Sequence, residues 1–286
     1  MATNATEAST FINEFIAAQH FIIEPVSTWT MRQILIFPWL CIVPTEVLAL
    51  ISTTMIYLVG SSPWGLGLFG DNDLPHDRTT GKPLGLTDYS YIWFNRLVML
   101  PFIAFLNVKV VCNSSAIIWD MDALNWTNGF GMFVVVFSLS DFTYYVAHRI
   151  VHRVPWLYTF VHKHHHGDSA PIRGWADTCN AHPTDFFYTG FCTSPMSTLW
   201  LMPADSVHIV AIGACLWVNS FVGSLGHCRL DLNIIFFNTR FHAGHHSYCK
   251  CNFAQNIEIW DHLFGTYRDY SETVNKKRNA LKKKVG

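Results

Sequence analysis

The chain has 286 residues, of which 50% are hydrophobic and only 14% charged, with a formal net charge of −1. Ordinary soluble domains carry about 25% charged residues, so the balance argues against a soluble protein, and it leaves no basic footprint for nucleic acid. Eight cysteines are scattered, with Cys41, Cys112, Cys192 and Cys215 inside apolar runs, which excludes a disulfide framework. Cys249 and Cys251 are close enough to be weighed as metal ligands against a plain structural role.

Residues 1–32 are polar and mixed, and lack the charged start and early apolar run of a secretory signal. An apolar run follows from Ile34 to Val59, broken by Pro38, Pro44 and Glu46. About 20 apolar residues span a bilayer, so it is long enough. Residues 60–90 are rich in Gly, Pro and Asp and read as a loop. A second run covers Tyr91–Cys112, and a third covers Gly129–Ala147 and runs into His148. Two shorter runs, Phe186–Met202 and Ser206–Gly226, are joined by Pro203-Ala204-Asp205 and fit a tight helical hairpin. The expected fold is an all-α integral membrane protein with four to five transmembrane helices, four if the first run is re-entrant. Residues 1–128 form an N-terminal membrane region with one or two spans, 129–270 the histidine-bearing domain, and 271–286 a basic tail.

Lys and Arg gather in cytoplasmic loops. The histidine-bearing segments also carry Arg149, Arg153, Lys163, Arg173, Arg229, Arg240, Lys250 and Arg268. The linker 114–128 has only Asp120 and Asp122, and the 203–205 turn has only Asp205. The histidines and the C-terminus are therefore expected on the cytosolic side, with the two short turns in the lumen and Lys109 as the one dissenter.

Fifteen histidines are present, in three tight groups: His148 and His152; His162, His165 and His166; His242, His245 and His246. On a helix, positions i, i+3 and i+4 share a face, so each group is expected to offer its imidazoles to one point. His164 faces the other way, and His20, His76, His208 and His262 read as packed or surface residues. His227, just after the last run, is a ninth candidate ligand; His182, before Pro183, is either a ligand or a structural residue. A zinc site needs three or four ligands, so this number implies two metals. There is no H-E-x-x-H, and no Glu at all from Val47 to Ile257, so neither a zincin protease nor a Glu-bridged di-iron bundle fits. An all-imidazole pair remains, and its neutral ligands favour O2 chemistry with iron. Asp141 lies in the third run seven residues before His148, on the same face, as does Tyr144. A carboxylate at that depth is costly and functional by default. It is expected to orient an imidazole or line the cavity.

These groups resemble the fatty acid hydroxylase superfamily of membrane oxidases, which includes sterol desaturases, methylsterol oxidases and cholesterol hydroxylases. The matching stretches are Asp141–His152, His162–His166, Ala181–Asp185 and His242–Tyr267, the last joining a histidine box to W-D-x-x-F-G-T. The resemblance implies a cytosolic, histidine-rich helical cap, two iron ions, O2, and electrons from NAD(P)H through a separate cytochrome b5 or reductase. Zinc can replace iron after overexpression. Ala181–Asp185 and Cys251–Ala254 lean towards sterol enzymes, and Gly223 stands where some acyl hydroxylases carry histidine. The expected activity is hydroxylation or desaturation of a lipid, a sterol before a fatty acyl or wax-type chain. Rival readings are a membrane zinc hydrolase and a metal transporter, though a transporter would spread its ligands through the spans. Lys283-Lys284-Val285-Gly286 resembles a dilysine retrieval signal, which implies the endoplasmic reticulum membrane.

Overall fold

The computed structural model describes residues 83–167, 171, 173–227, 233–234 and 237–270. The first apolar run, His20, His76 and the basic tail lie outside them. Helix α1 (Leu86–Asn113) starts inside the stretch expected to be loop. Its start is fixed by Asp88, whose Oδ2 accepts the Gly85 N–H at 2.7 Å, a favourable place for a carboxylate at a helix N-terminus. Pro101 has no N–H for the carbonyl of Leu97, and a π-turn at Asn95–Met99 lies just before it. A linker with the short strand β1 (Ile117–Ile118) leads to α2 (Thr127–Arg153), which opens on another π-turn, Thr127–Gly131.

After α2 the chain turns into α3 (Pro155–Leu157), a π-turn at Tyr158–His162 and a 3-10 turn at His165–Gly167. Short α4 (Trp175–Thr178) and α5 (Pro183–Phe187) follow. The expected fourth span, Phe186–Met202, is not one helix. It is a π-turn at Tyr188–Cys192 and a 3-10 segment at Pro195–Leu201, separated at Thr193 and Ser194. Pro195 supplies no N–H and pushes Ser194 into an extended conformation (ψ 157°), while the Thr189 and Thr193 hydroxyls bond back to the carbonyls of Asp185 and Thr189. The tight helical hairpin is therefore corrected to a broken passage into a single helix. Strand β2 (Val207–His208) leads into that helix, α6 (Ile209–Gly226). Its N-terminus is capped by His208, whose Nδ1 accepts the Val210 N–H and whose Nε2–H donates to the Asp120 carbonyl. The structural role expected of His208 is the one seen. Strands β3 (Asn233–Ile234) and β4 (Phe237–Asn238) form an antiparallel pair before α7 (Thr239–Tyr248), and α8 (Ile259–Leu263) closes the described chain.

Among the described residues, α1, α2 and α6 are long and apolar enough to cross a membrane. Their exposed faces carry Trp93, Val98 and Phe102 on α1, Val134, Val135 and Ile150 on α2, and Trp217 on α6, a surface suited to lipid. β1 pairs in parallel with β2, Ile117 opposite Val207 and Ile118 opposite His208. The linker and the 203–208 turn thus meet at one end of the spans. A core of Ile117, Val136, Met196, Leu199, Val207 and Ile212 sits beneath them. His148 and His152 on α2, and His227 after α6, lie at the other end. An apolar groove of about 510 Å³ between Trp126, Phe130, Val210 and Trp217 belongs to the turn end.

Candidate metal centre

Two histidine clusters sit at the far end of α2 and α6. The first gathers His148, His152, His162, His166 and His245; the second gathers His165, His227, His242 and His246. Within each, one ring nitrogen per residue lies within 4.8 Å of all the others. The three sequence groups do not each serve one point, as the spacing suggested. In His162-x-x-His165-His166, the outer pair joins the first cluster and His165 joins the second. In His242-x-x-His245-His246 the division is reversed, the outer pair joining the second and His245 the first. On α7 the reason is geometric: 100° of rotation per residue separates positions i+3 and i+4 widely enough to point at two centres. His162–His166 is not regular α-helix but the end of a π-turn and a 3-10 turn, and still gives the same division.

The tautomers can be derived. The Nδ1–H of His148 donates to the Phe253 carbonyl at 2.7 Å, that of His245 to the Cys251 carbonyl at 2.8 Å, and that of His162 to Asp185 Oδ2 at 2.8 Å. Carbonyl and carboxylate oxygens only accept, so each proton is on Nδ1 and each Nε2 presents a lone pair inward. Yet Nε2 of His148 lies 3.1 Å from Nε2 of His162, which lies 3.0 Å from Nε2 of His166, itself 3.1 Å from that of His245. Lone pairs facing each other at that distance repel unless a cation lies among them. His152 Nε2 is buried with no partner at all. In the second cluster, His227 Nδ1–H donates to the Gly223 carbonyl at 2.8 Å, and its Nε2 faces those of His165, His242 and His246 at 3.3, 3.2 and 3.2 Å. Both donor sets fit a metal ion held by neutral imidazoles. Burial pushes the pKa values of His165, His166, His242, His245 and His246 well below the usual imidazole range, and their imidazole neighbours push the same way. That keeps the rings in the metal-binding form. Close packing of backbone brings α7 in: a Cβ at Gly226 would lie 3.3 Å from the His242 ring and Cβ.

The platform under the first cluster is the segment after α7. Five consecutive backbone N–H groups there end on two buried carboxylates. Phe253 and Ala254 donate to Asp261, each at 2.8 Å. Gln255, Asn256 and Ile257 donate to Asp141 at 3.3, 2.8 and 3.0 Å. Of the two roles expected for Asp141, a direct bond to an imidazole is not the one seen: its hydrogen bonds run to the backbone of the loop that also carries the Phe253 carbonyl under His148. Tyr144 is buried with its ring 5.0 Å from that of His148. His182 belongs to neither cluster. Its Nδ1 accepts the Thr184 N–H at 3.2 Å, capping α5, and its ring packs edge-on to Tyr91. Within Ala181–Asp185 the residue that reaches a clustered histidine is instead Asp185, bonded to His162, which the histidine count overlooked; its place just past the His182 cap was invisible without the fold. His164 turns away, to Asn180 and Asp88, and His262 stacks on Tyr267. Cys249 and Cys251 form no separate site: the Cys249 thiol lies 3.3 Å from His166 Nδ1, and Cys251 contributes its carbonyl to His245.

Residues 133–266 match the model of the family described as fatty acid hydroxylase. The chain is 33% identical to the ornithine lipid hydroxylase OlsE of Rhizobium tropici over 149 residues, 48% of this chain and 42% of that protein. It is 29% identical to the C-4 methylsterol oxidase erg25 of Schizosaccharomyces pombe over 143 residues, 48% of this chain and 47% of that one. It is 26% identical to the very-long-chain aldehyde decarbonylase GL1-6 of Oryza sativa subsp. indica over 140 residues, 44% of this chain and 21% of the other. The chain thus spans less than half the length of these relatives. No solved structure matches it. The matched region runs from the first turns of α2 to the end of the platform and takes in both clusters with the carboxylates that support them, so it is the metal-centre half of this chain that resembles the fatty acid hydroxylase family.

Proposed function

We propose that the chain is a membrane non-haem di-iron oxidase that inserts oxygen into, or removes hydrogen from, an unactivated C–H bond of a lipid. The observation that carries this reading is the interlocked pair of buried all-imidazole clusters at one end of apolar helices. In this reading His148, His152, His162, His166 and His245 hold one iron, and His165, His227, His242 and His246 the other. Bound iron supplies the reduction of O2 and the oxidising power for the C–H bond. For hydroxylation the balance is RH + O2 + NAD(P)H + H⁺ giving ROH + NAD(P)⁺ + H2O, with electrons brought by a separate cytochrome b5 or reductase. The protein's own groups do the rest. Asp185 and the carbonyls of Cys251 and Phe253 lock three rings with lone pairs inward, and the buried Tyr144 closes one side beside His148. Burial excludes water from the reacting groups, and the apolar outer faces of α1, α2 and α6 let a lipid arrive from the bilayer.

Residues 129–270 would be the catalytic unit, 1–128 membrane anchoring and 271–286 a cytosolic tail. The Lys and Arg distribution favours a cytosolic metal centre, and the resemblance of Lys283-Lys284 to a dilysine retrieval signal favours the endoplasmic reticulum membrane. A sterol is the first substrate class to test, on resemblance. The residues behind that preference prove to serve the scaffold: Asp185 holds His162, Cys251 and Phe253 supply carbonyls, and the Gly223 carbonyl holds His227. The sterol preference therefore rests on resemblance alone. The test is a lipid profile of cells with and without the protein, beside iron and zinc analysis of purified material. A changed sterol pattern supports a sterol enzyme. Hydroxylated acyl chains with unchanged sterols make it an acyl-lipid oxidase. An unchanged profile with hydrolytic activity on a lipid ester would make it a zinc hydrolase.

A further inference from the structure

Between α7 and α8 the platform is non-helical, yet it is anchored deep against the spans. Asp141 lies twelve residues before the end of α2 at Arg153, about 18 Å along the helix. On the other side, Asn256 Nδ2 donates to Asn219 Oδ1 at 2.9 Å. Asn219 lies seven residues before the end of α6 at Gly226, about 10 Å along it. At 18 residues α6 is about 27 Å long, shorter than the roughly 30 Å hydrocarbon core, so Asn219 cannot stand outside that core if α6 crosses it. Irregular backbone at membrane depth is tolerated only where its polar groups are satisfied within the protein. Here the N–H groups of residues 253–257 all end on the buried carboxylates of Asp141 and Asp261. The exposed surface of the segment carries Ile259, Leu263 and Phe264, at 56%, 67% and 44%, beside the exposed His262 and the half-buried Glu258. Trp260 and Phe264 pack on Phe142 of α2, at 4.9 and 6.1 Å between ring centroids. The patch is therefore continuous with the exposed face of α2 that carries Val146 and Ile150.

We propose that residues 253–264 form a re-entrant wedge seated in the bilayer, with Ile259, Leu263 and Phe264 against lipid acyl chains, rather than part of a cap standing in water. The two carboxylates are then what permits an irregular loop at that depth. The consequence is that the carbonyl platform of the first cluster rests at leaflet level, where a lipid can reach it without leaving the membrane. This goes beyond the proposed activity and stands or falls separately from it.

The experiment uses the full chain in native membranes, with the photocrosslinker p-benzoyl-phenylalanine placed at position 263, and at 259 in a second variant. Position 135 on the exposed face of α2 is the lipid-facing control; position 250, exposed at the histidine end, is the water-facing control. After irradiation, mass spectrometry reads what is attached. Lipid adducts at 263 or 259 comparable with position 135 and well above position 250 are expected. Yields no higher than at position 250 would overturn the wedge. So would adducts to peptides from residues 1–82, which would show the chain itself covering the patch. If the 263 variant does not accumulate, position 259 reads the same face.

Discussion

The two histidine clusters use the same ring nitrogens but differ in what stands behind them. In the first, His148, His162 and His245 each place Nδ1–H on an oxygen, one of them the Asp185 carboxylate, and His166 Nδ1 faces the Cys249 thiol. In the second, Nδ1 of His227 meets the Gly223 carbonyl and the Thr178 hydroxyl, while Nδ1 of His242 is buried without a hydrogen-bond partner among the described residues. The cause lies in the elements that surround them. The first cluster is backed by a loop held flat by two carboxylates and by α5; the second is backed mainly by the last turn of α6. Counting imidazoles would rank the sites as five against four, a small difference. The kind of outer partner separates them further, since the Asp185 carboxylate stands behind His162 in the first, and losing such a partner typically costs about 10–100-fold in metal affinity.

The sharpest way to break that comparison is to remove one ligand from each cluster. His245→Ala and His165→Ala come from different sequence groups but should each lower the metal content from about two ions per chain to about one, with turnover lost in both. Metal analysis of the folded, membrane-extracted proteins checks it. If both variants lost both ions, the clusters would not be separate sites. A smaller effect tests the supports. Under a chelator, one of the two ions should leave well before the other, and His165→Ala protein, which keeps only the first cluster intact, should retain the slow one. Asp185→Asn should weaken that slow site by about 10–100-fold, bringing the two exchange phases together. Unchanged phases in Asp185→Asn would show that the outer hydrogen bonds do not set the difference.

Smaller again is the effect expected at Asp141. Three backbone N–H groups end on its carboxylate, and hydrogen bonds to charged groups contribute about 1.5–3 kcal/mol each. Asn keeps one acceptor oxygen and adds a donor facing N–H groups. Asp141→Asn should therefore lower the thermal midpoint and loosen the 253–257 loop, with activity falling in step as the Phe253 carbonyl shifts under His148. Activity lost at an unchanged midpoint would instead place the carboxylate in direct service of the metal centre.

How much of this could be read beforehand follows from the range of each interaction. The nine clustered histidines were legible because ligand residues come in short, local spacings, and so were the ends of the spans at which they sit. The division of each group between two centres was not, since it depends on how α7 is turned against the loop after α3. Asp141 was singled out correctly as a buried carboxylate in a span, but its partners lie more than a hundred residues away, and no local pattern points to them. The fourth span was misread because Phe186–Met202 is apolar enough for a helix, while Pro195 and the threonine hydroxyls decide its backbone.

His182 gives the smallest effect and the finest discrimination. By sequence it is the candidate ligand of Ala181–Asp185; by geometry it caps α5 through the Thr184 N–H, half-buried and against Tyr91. Losing an N-cap costs about 0.5–2 kcal/mol, and histidine is not among the strongest caps, so the lower end applies. α5 matters only because Asp185 sits on it. His182→Ala should then cost a small fraction of stability, keep the full metal content, and leave the slow chelator phase nearly as it was, whereas His182→Asn, with a better capping side chain, should restore the midpoint. Loss of an ion in His182→Ala that Asn failed to restore would make His182 a ligand after all, and would require the α5 end of the first cluster to close further on metal binding than the described arrangement does.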